Sequence, residues 1–452
     1  MYKKGHKMKK NLLVFTTLFL MLISIATANQ NDTFSVKYVN LDRKEKTYNI
    51  VIKPHEYKYG DVVIKGYQYI DSSTNKEAKI FANKGEKLTI NVKNDTKTAV
   101  TNVHWHGLKV PNNQDGPNVV IKNGESHTYT FTVKESGTYW YHSHTRPVRD
   151  QVDSGMSSTF VVLDANEKSY SQDLIFVLDD VGGKIKDSQN NHDIMEVIGN
   201  IKTINGIKSD EFPPVKIVKG ERIKLRFLNA STAETQTLKV NKHEFVVTHL
   251  DGAPLNKPYK TKKIELAPGQ RIEAEIVANQ SNEEIQNLVG SNIKLIYTNG
   301  EVPTPESPFI ENKNKKLIDY KDFTPDRTIV LNSKMSHNSS NMTTWTIDNQ
   351  EFPNVPPITT SKDKVYYLRI QNNDTKNMHP MDHPMHLHGG HFQIVSVNGI
   401  PPAQTEFRDT VNVPAGEYVD IAFKISEKGD WMLHCHILDH EDMGMMMKVK
   451  VE

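Results

Sequence analysis

Four His-x-His pairs punctuate the chain: His104/His106, His142/His144, His386/His388 and His434/His436. On an extended strand residues i and i+2 face the same side, so each pair offers two imidazoles to one compartment. Imidazole is a common ligand for copper, zinc and iron. Trp105, Trp140 and Tyr141 stand beside the first two pairs, which argues against solvated surface histidines. The pairs fall in the first and last thirds of the sequence, so a shared site must draw the two ends of the chain together. The single Cys defines a second compartment. In His434-Cys435-His436 the histidines point one way and Cys435 the other, with His440 five residues on and Met445 ten. Adding His383 gives two imidazoles, a thiolate and a thioether, the ligand set of a blue-copper electron-transfer centre. An electron received at Cys435 can then pass along the same strand to the histidine cluster on its far face. The eight paired histidines suffice for three more metal ions, and four one-electron stores match the reduction of O2 to two waters.

Positioning these groups calls for strands, and the strands repeat. Gly85 to Asn94, Gly220 to Asn229 and Asp363 to Asn372 each alternate polar and apolar residues and end in Asn, the pattern of a half-buried strand closed by a turn. A second phrase is centred on Gly124-Glu125, Gly269-Gln270 and Gly416-Glu417, each copy leading into another alternating run. Long amphipathic helical patterns are scarce. The reading is all-β: three Greek-key β-sandwiches in one chain, over residues 29–165, 166–325 and 326–452. The joints fall near Asp164–Lys168 and in the Pro- and Lys-rich stretch Glu301–Pro325, and Lys186–Asp193 and Ser333–Asn341 read as surface loops.

Composition narrows the function. The 452 residues carry 56 Lys+Arg against 54 Asp+Glu, which excludes a charge-driven nucleic-acid binder. One Cys excludes an intramolecular disulfide framework and a multi-thiolate zinc finger. Lys9 and Lys10, the apolar run Leu12 to Ile25, and Ala26-Thr27-Ala28 form a secretory leader over residues 1–28. Its removal takes away five Lys and no acid, turning the formal charge from +2 to −3. The expected location is the periplasm, or alternatively outside the cell, with no membrane anchor after cleavage.

The phrases His104-Trp105-His106-Gly107, Trp140-Tyr141-His142-Ser143-His144, His383-Pro384-Met385-His386-Leu387-His388-Gly389 and His434-Cys435-His436…His440…Met445 resemble the four copper signatures of the multicopper oxidases, which include laccases and bacterial metallo-oxidases. The resemblance spans nearly the whole mature chain and implies three cupredoxin domains holding four copper ions, the middle domain without ligands. By this resemblance His383, Cys435, His440 and Met445 match the type 1 ligands, and His104 and His386 the type 2 pair. His106, His142, His144, His388, His434 and His436 match the binuclear type 3 ligands. Asp115 and Glu441 match acids that relay protons to oxygen, and Cys435 the conduit for electrons. Two departures stand out. Gly66 to Asp71 replaces the usual Gly- and Pro-rich segment before the first repeated strand, and Gly389-Gly390-His391 is one residue longer than the common phrase.

The donor is read from what surrounds the thiolate site. Met378, His379, Met381, Asp382 and Met385 stand around His383, and Met443, Met446 and Met447 near His440. Thioethers are soft ligands for Cu(I), so Met378 and Met381 are candidate substrate contacts. Asp382, Asp439 and Asp442 are the oxygen ligands that Fe(II) or another harder ion would prefer. The leading expectation is therefore an exported enzyme that oxidises Cu(I), or Fe(II), at the expense of O2 and protects the cell from cuprous ion. The alternatives are a laccase-like oxidase of phenols or aromatic amines, with an open apolar groove at His383, and a copper-binding cupredoxin protein without turnover. All twelve ligands are in place, which argues against the last, and since one chain carries them a monomer is compatible with the reading.

Overall fold

The computed structural model describes residues 34–182, 198–335, 343–375 and 380–452, apart from positions 37, 39, 98, 312 and 314. The expected leader, residues 1–28, and the expected loop, residues 186–193, lie outside the described residues, as do Met378, His379 and most of Ser333–Asn341. Ser333 itself ends no loop: it belongs to the strand Arg327–Met335.

The two repeated phrases form adjacent, paired strands in one sheet of each sandwich. Lys87–Asn94 pairs antiparallel with Ser126–Thr132, Arg222–Asn229 with Arg271–Val277, and Tyr366–Asn372 with Tyr418–Phe423. On its other side each of the three accepts a parallel neighbour: Glu45–Tyr59, Gln172–Val181 and Arg327–Met335 respectively. The closing Asn does the same work three times. Asn94 Nδ2 donates to the carbonyls of Ala99 and Ile121, Asn229 Nδ2 to Glu234 and Leu266, and Asn372 Nδ2 to Met381 and Val413. Each of these side chains is fully buried and staples the turn after its strand to the facing segment, so that its own amide is satisfied away from water. The glycine of the second phrase then donates its N–H to the Asn carbonyl, at 2.7, 3.0 and 3.0 Å.

The facing sheets complete the layers. In the first stretch it is the three-stranded sheet Ile80–Asn83, Ser157–Leu163, Gly137–His142; in the middle stretch a five-stranded sheet from Val215–Lys219 to Lys263–Leu266; in the last, a five-stranded sheet with His383–Leu387 between Gly429–Cys435 and Thr410–Val413. Three apolar cores result, each built from the inward residues of its own two sheets. One segment departs from its expected unit. Phe34 is buried in the middle core against Phe176 and Phe212, because Val36 and Ile175 exchange backbone hydrogen bonds with Asp173 and Phe34 along the edge of Gln172–Val181. The chain therefore enters across the middle sandwich before building the first.

Among the described residues helix is confined to short pieces, and two of them matter for the site. Val148–Asp153 and Leu438–Asp442 pack together, and the Asp442 carboxylate accepts from the N–H groups of Val148 and Arg149 at the start of the first. No helix among the described residues is long and apolar enough to cross a membrane.

Candidate metal centre

The strand Gly429–Cys435 presents its side chains to two compartments, as period-two alternation requires. On one side Cys435 Sγ lies 3.5 Å from His440 Nδ1 and 3.7 Å from His383 Nδ1, and those nitrogens are 3.2 Å apart. Register positions them: Met385 pairs with Cys435 across the sheet, which brings His383 level with the end of the strand. The segment back to His440 is tied down by Cys435 N donating to Met445 O and Met445 N to His440 O. Met445 is fully buried in the same core as Cys435. Trp345 stacks on His440 with ring centroids 3.6 Å apart, and the Nε2 face of His383 looks toward Asp374 at 3.7 Å.

On the other side eight imidazoles converge, each no more than 6% exposed. His104 and His142 face each other across an isolated bridge of the first stretch, and His386 pairs with His434 in the last. The two ends of the chain then meet, as the pairing requires. His104 Nε2 is 3.3 Å from His386 Nε2, and His434 Nε2 is 3.1 Å from His388 Nε2 and 3.4 Å from His144 Nε2.

Outer partners set the tautomers. Asp115 bridges two rings, accepting from His104 Nδ1 at 2.6 Å and His388 Nδ1 at 2.7 Å. His142 Nδ1 donates to Ser143 O, His434 Nδ1 to Cys435 O and His386 Nδ1 to Asp409 O, at 2.9 to 3.0 Å. In all five rings the Nε2 lone pair is left pointing inward. Lone pairs that face one another across 3.1–3.3 Å repel unless a cation lies between them. His106 is reversed: its Nε2 faces Asp409 Oδ1 at 3.2 Å. No described residue gives a hydrogen bond to His106 Nδ1, His142 Nε2 or His436 Nε2, all buried. Buried polar atoms are seldom left so, and these orphans are the donor set of a soft-to-borderline metal ion.

Electrostatics agree. Burial, reinforced by the neighbouring rings, pushes His104 and His436 well below the ordinary histidine range, takes His142 to about 4 and takes His386 to about 3. They are neutral at pH 7, the form in which an imidazole can bind a metal ion. Burial would by itself raise the Glu441 carboxyl, but His434 and His144 beside it outweigh that and hold it well below the carboxylate range. Its oxygens lie 3.2 Å from His434 Nδ1 and 3.3 Å from His144 Nε2, and it is fully buried. Asp115 is 2% exposed. Both acids thus touch the nest itself.

The substrate candidates fare differently. Asp382 is exposed, but its carboxylate accepts from Asn412 Nδ2 and Ala415 N, so it closes a loop. Asp439 is buried and paired with Arg149 at 2.8 Å, which corrects its reading as an accessible metal contact: the short helix turns it inward. Asp442 caps the neighbouring helix. Met385, Met446 and Met447 are core side chains, while Met381 and Met443 are partly buried at the edge of that core.

Sequence reading missed Asp409 and Arg271. Arg271 Nη1 and Nη2 donate to Asp409 Oδ1 and Oδ2 at 2.7 and 2.6 Å, both residues fully buried beneath His106. A signal existed, since the middle copy of the glycine phrase continues with Arg271 where the others have Ser126 and Tyr418. The middle stretch also supplies Gly269. With φ of +84°, any Cβ there would stand 2.8 Å from the His436 ring, so only glycine lets the backbone approach so closely.

Known proteins carry the same pattern. The multicopper oxidase family profiles match residues 74–167, 180–287 and 322–452. The multicopper oxidase mco of Staphylococcus aureus is 33% identical over 81% of this chain and 80% of its own, and that of Staphylococcus haemolyticus 32% identical over the same shares. A multicopper oxidase from Campylobacter jejuni described as a metallo-oxidase superposes with a TM-score of 0.74 at 25% identity, covering 92% of this chain and 93% of that one. With matches over four-fifths of its length and this arrangement of imidazoles around one thiol, the chain belongs to the multicopper oxidase family and is a copper-dependent oxidoreductase that uses O2 and a reductant.

Proposed function

We propose that the chain binds four copper ions and couples four one-electron oxidations of a metal-ion donor, Cu(I) first and Fe(II) second, to the reduction of O2 to two waters, in a compartment outside the cytoplasm, where it lowers cuprous ion. Three ligands at the thiol, with Met445 as the weak fourth, hold one ion; His104 and His386 hold a second; the remaining six histidines hold a pair. Copper supplies one-electron redox chemistry at the first site and binding and reduction of O2 at the other three.

The observation that carries this reading is the single strand joining the two compartments. Cys435 connects through its own backbone to His434 and His436, and His434 Nδ1 donating to Cys435 O closes a second, shorter route. The nest excludes bulk water by burial, which protects partly reduced oxygen from escape. Asp115 and Glu441 are the protein groups able to hand protons into it: Asp115 from the His104/His388 side and Glu441 from the His144/His434 side.

For the donor, His383 and His440 are fully buried, so neither offers a ring edge to an organic phenol. Met381, two residues before His383 in the chain, is partly buried against the apolar core that holds Cys435 and carries a soft thioether. The description of the Campylobacter jejuni protein as a metallo-oxidase points the same way. The test measures O2 uptake by the copper-loaded protein with Cu(I), Fe(II) and a phenol in parallel. Cu(I) should give the highest rate, and Met381→Ala should lower it several-fold without altering the blue absorption. Faster phenol turnover, with Cu(I) oxidation indifferent to Met381→Ala, would replace this reading by the laccase-like one.

A further inference from the structure

Among the described residues the middle sandwich contributes no imidazole or thiol to the two compartments, yet it builds one wall of the nest. Arg271 spends all five guanidinium hydrogens there. Nε donates to Thr138 O, Nη1 to Gly269 O and Asp409 Oδ1, and Nη2 to Asp251 O and Asp409 Oδ2, at 2.6 to 3.1 Å. Its acceptors come from all three stretches of the chain. A charge so fully engaged and buried fixes the orientation of its partner far more tightly than a point charge would. Gly107 makes room for it, since a Cβ there would stand 2.3 Å from Arg271 Nη2 and 2.5 Å from Asp409 Oδ2.

Asp409 in turn decides a tautomer. Its Oδ1 accepts from His106 Nε2 at 3.2 Å and from the Thr410 hydroxyl at 2.9 Å, while its backbone carbonyl accepts from His386 Nδ1 at 2.9 Å. His106 and His386 stack with centroids 3.7 Å apart, so the one residue grips both rings. Five neighbouring rings donate through Nδ1 and look inward through Nε2. His106 is held instead by Nε2, leaving Nδ1 as the buried orphan.

We propose that Arg271, from the sandwich without ligands, is a positioning residue for the histidine nest: acting through Asp409, it commits His106 to the Nε2–H tautomer and so presents Nδ1 as the ligating atom. The inference deepens the multicopper reading and rests on it for the identity of the ligand, but the tautomer can be read without metal.

The experiment uses the full chain, copper-free, with 15N-labelled histidine, and assigns the protonated nitrogen of each imidazole by NMR. Wild type should show His106 protonated at Nε2. Arg271→Met should give a mixed or Nδ1-protonated His106 while His142, whose partner is Ser143 O, stays unchanged. Asp409→Asn is the nearly isosteric second variant should Arg271→Met fold poorly. Its amide nitrogen meets an Arg271 N–H in either orientation and His106 Nε2 in one of them, so it should produce the same mixture. Arg271→Lys, which keeps the charge without the fork, should restore the tautomer only in part. After copper loading, both disruptive variants should keep the blue absorption of the Cys435 site and lose copper from the nest about 10–100-fold more readily, the usual effect of removing an outer partner. A wild-type tautomer at His106 in both disruptive variants overturns the proposal and leaves Arg271 a plain inter-domain clamp. Wild-type protein that shows the expected tautomer but holds no copper in the nest would instead sink the multicopper reading.

Discussion

Replacing Asp115 by Asn keeps the shape of the side chain while changing one oxygen to N–H2 and removing the carboxylate charge. Oδ1 accepts from both His104 Nδ1 and Gly116 N, so the amide oxygen takes that place and the amide nitrogen takes the place of Oδ2. It then meets His388 Nδ1 at the present 2.7 Å, donor against donor. His388 escapes by moving its proton to Nε2, the atom that lies 3.1 Å from His434 Nε2 in the interior of the nest. One of the three imidazoles around that point ceases to be a ligand. The lost bond is charge-assisted, worth about 1.5–3 kcal/mol, and at 1.4 kcal/mol per decade that is about 10–100-fold in affinity. The assay titrates copper-loaded wild type and Asp115→Asn with a chelator, counting copper per chain while following the blue absorption of the Cys435 site. The variant should keep its blue colour but release copper from the nest at about 10–100-fold lower chelator, with O2 consumption falling in step. Identical release curves would refute the tautomer argument. Simultaneous loss of colour and nest copper would show that Asp115 holds the fold rather than the ligands.

Other expectations follow from the same geometry. Cys435→Ser should abolish the blue absorption yet leave copper in the nest, because the thiol and the eight imidazoles occupy opposite faces of one strand; loss of both metals together would contradict the two-compartment arrangement. Gly269→Ala drives a methyl into the His436 ring at 2.8 Å in a backbone conformation of φ +84°, so O2 turnover should fall at least about tenfold with the blue site intact; unchanged turnover would mean the wall yields. Burial, aided by Asp180, raises the Asp153 carboxyl to about 7 from the 3.8 of an exposed group. The folded chain therefore binds more protons than the unfolded one between those values, and stability falls as pH rises through that window. Asp153→Asn should flatten that slope and gain at most about 4 kcal/mol above pH 7, seen as melting curves of variant and wild type that diverge with rising pH; parallel curves would reject it.

Much of the site is legible before any coordinates. His-x-His on a strand specifies a shared face, and His434-Cys435-His436 specifies two faces, because side-chain alternation is a local property of extended backbone. The threefold repeat is equally readable, since the closing Asn and the following glycine each answer a local turn requirement, met by Asn94, Asn229 and Asn372 in turn. What is not local is which buried polar atom meets which. Asp439 reads as an oxygen ligand for a hard substrate ion by type and proximity to His440, yet one short helix turns it onto Arg149. Asp409 and Arg271 lie 138 residues apart with no common motif. Their pairing arises only when three sandwiches close around one nest and every charge so buried must find its counter-charge. Local periodicity thus determines which faces the paired histidines and the thiol share, and tertiary packing decides the hydrogen bonds that aim them.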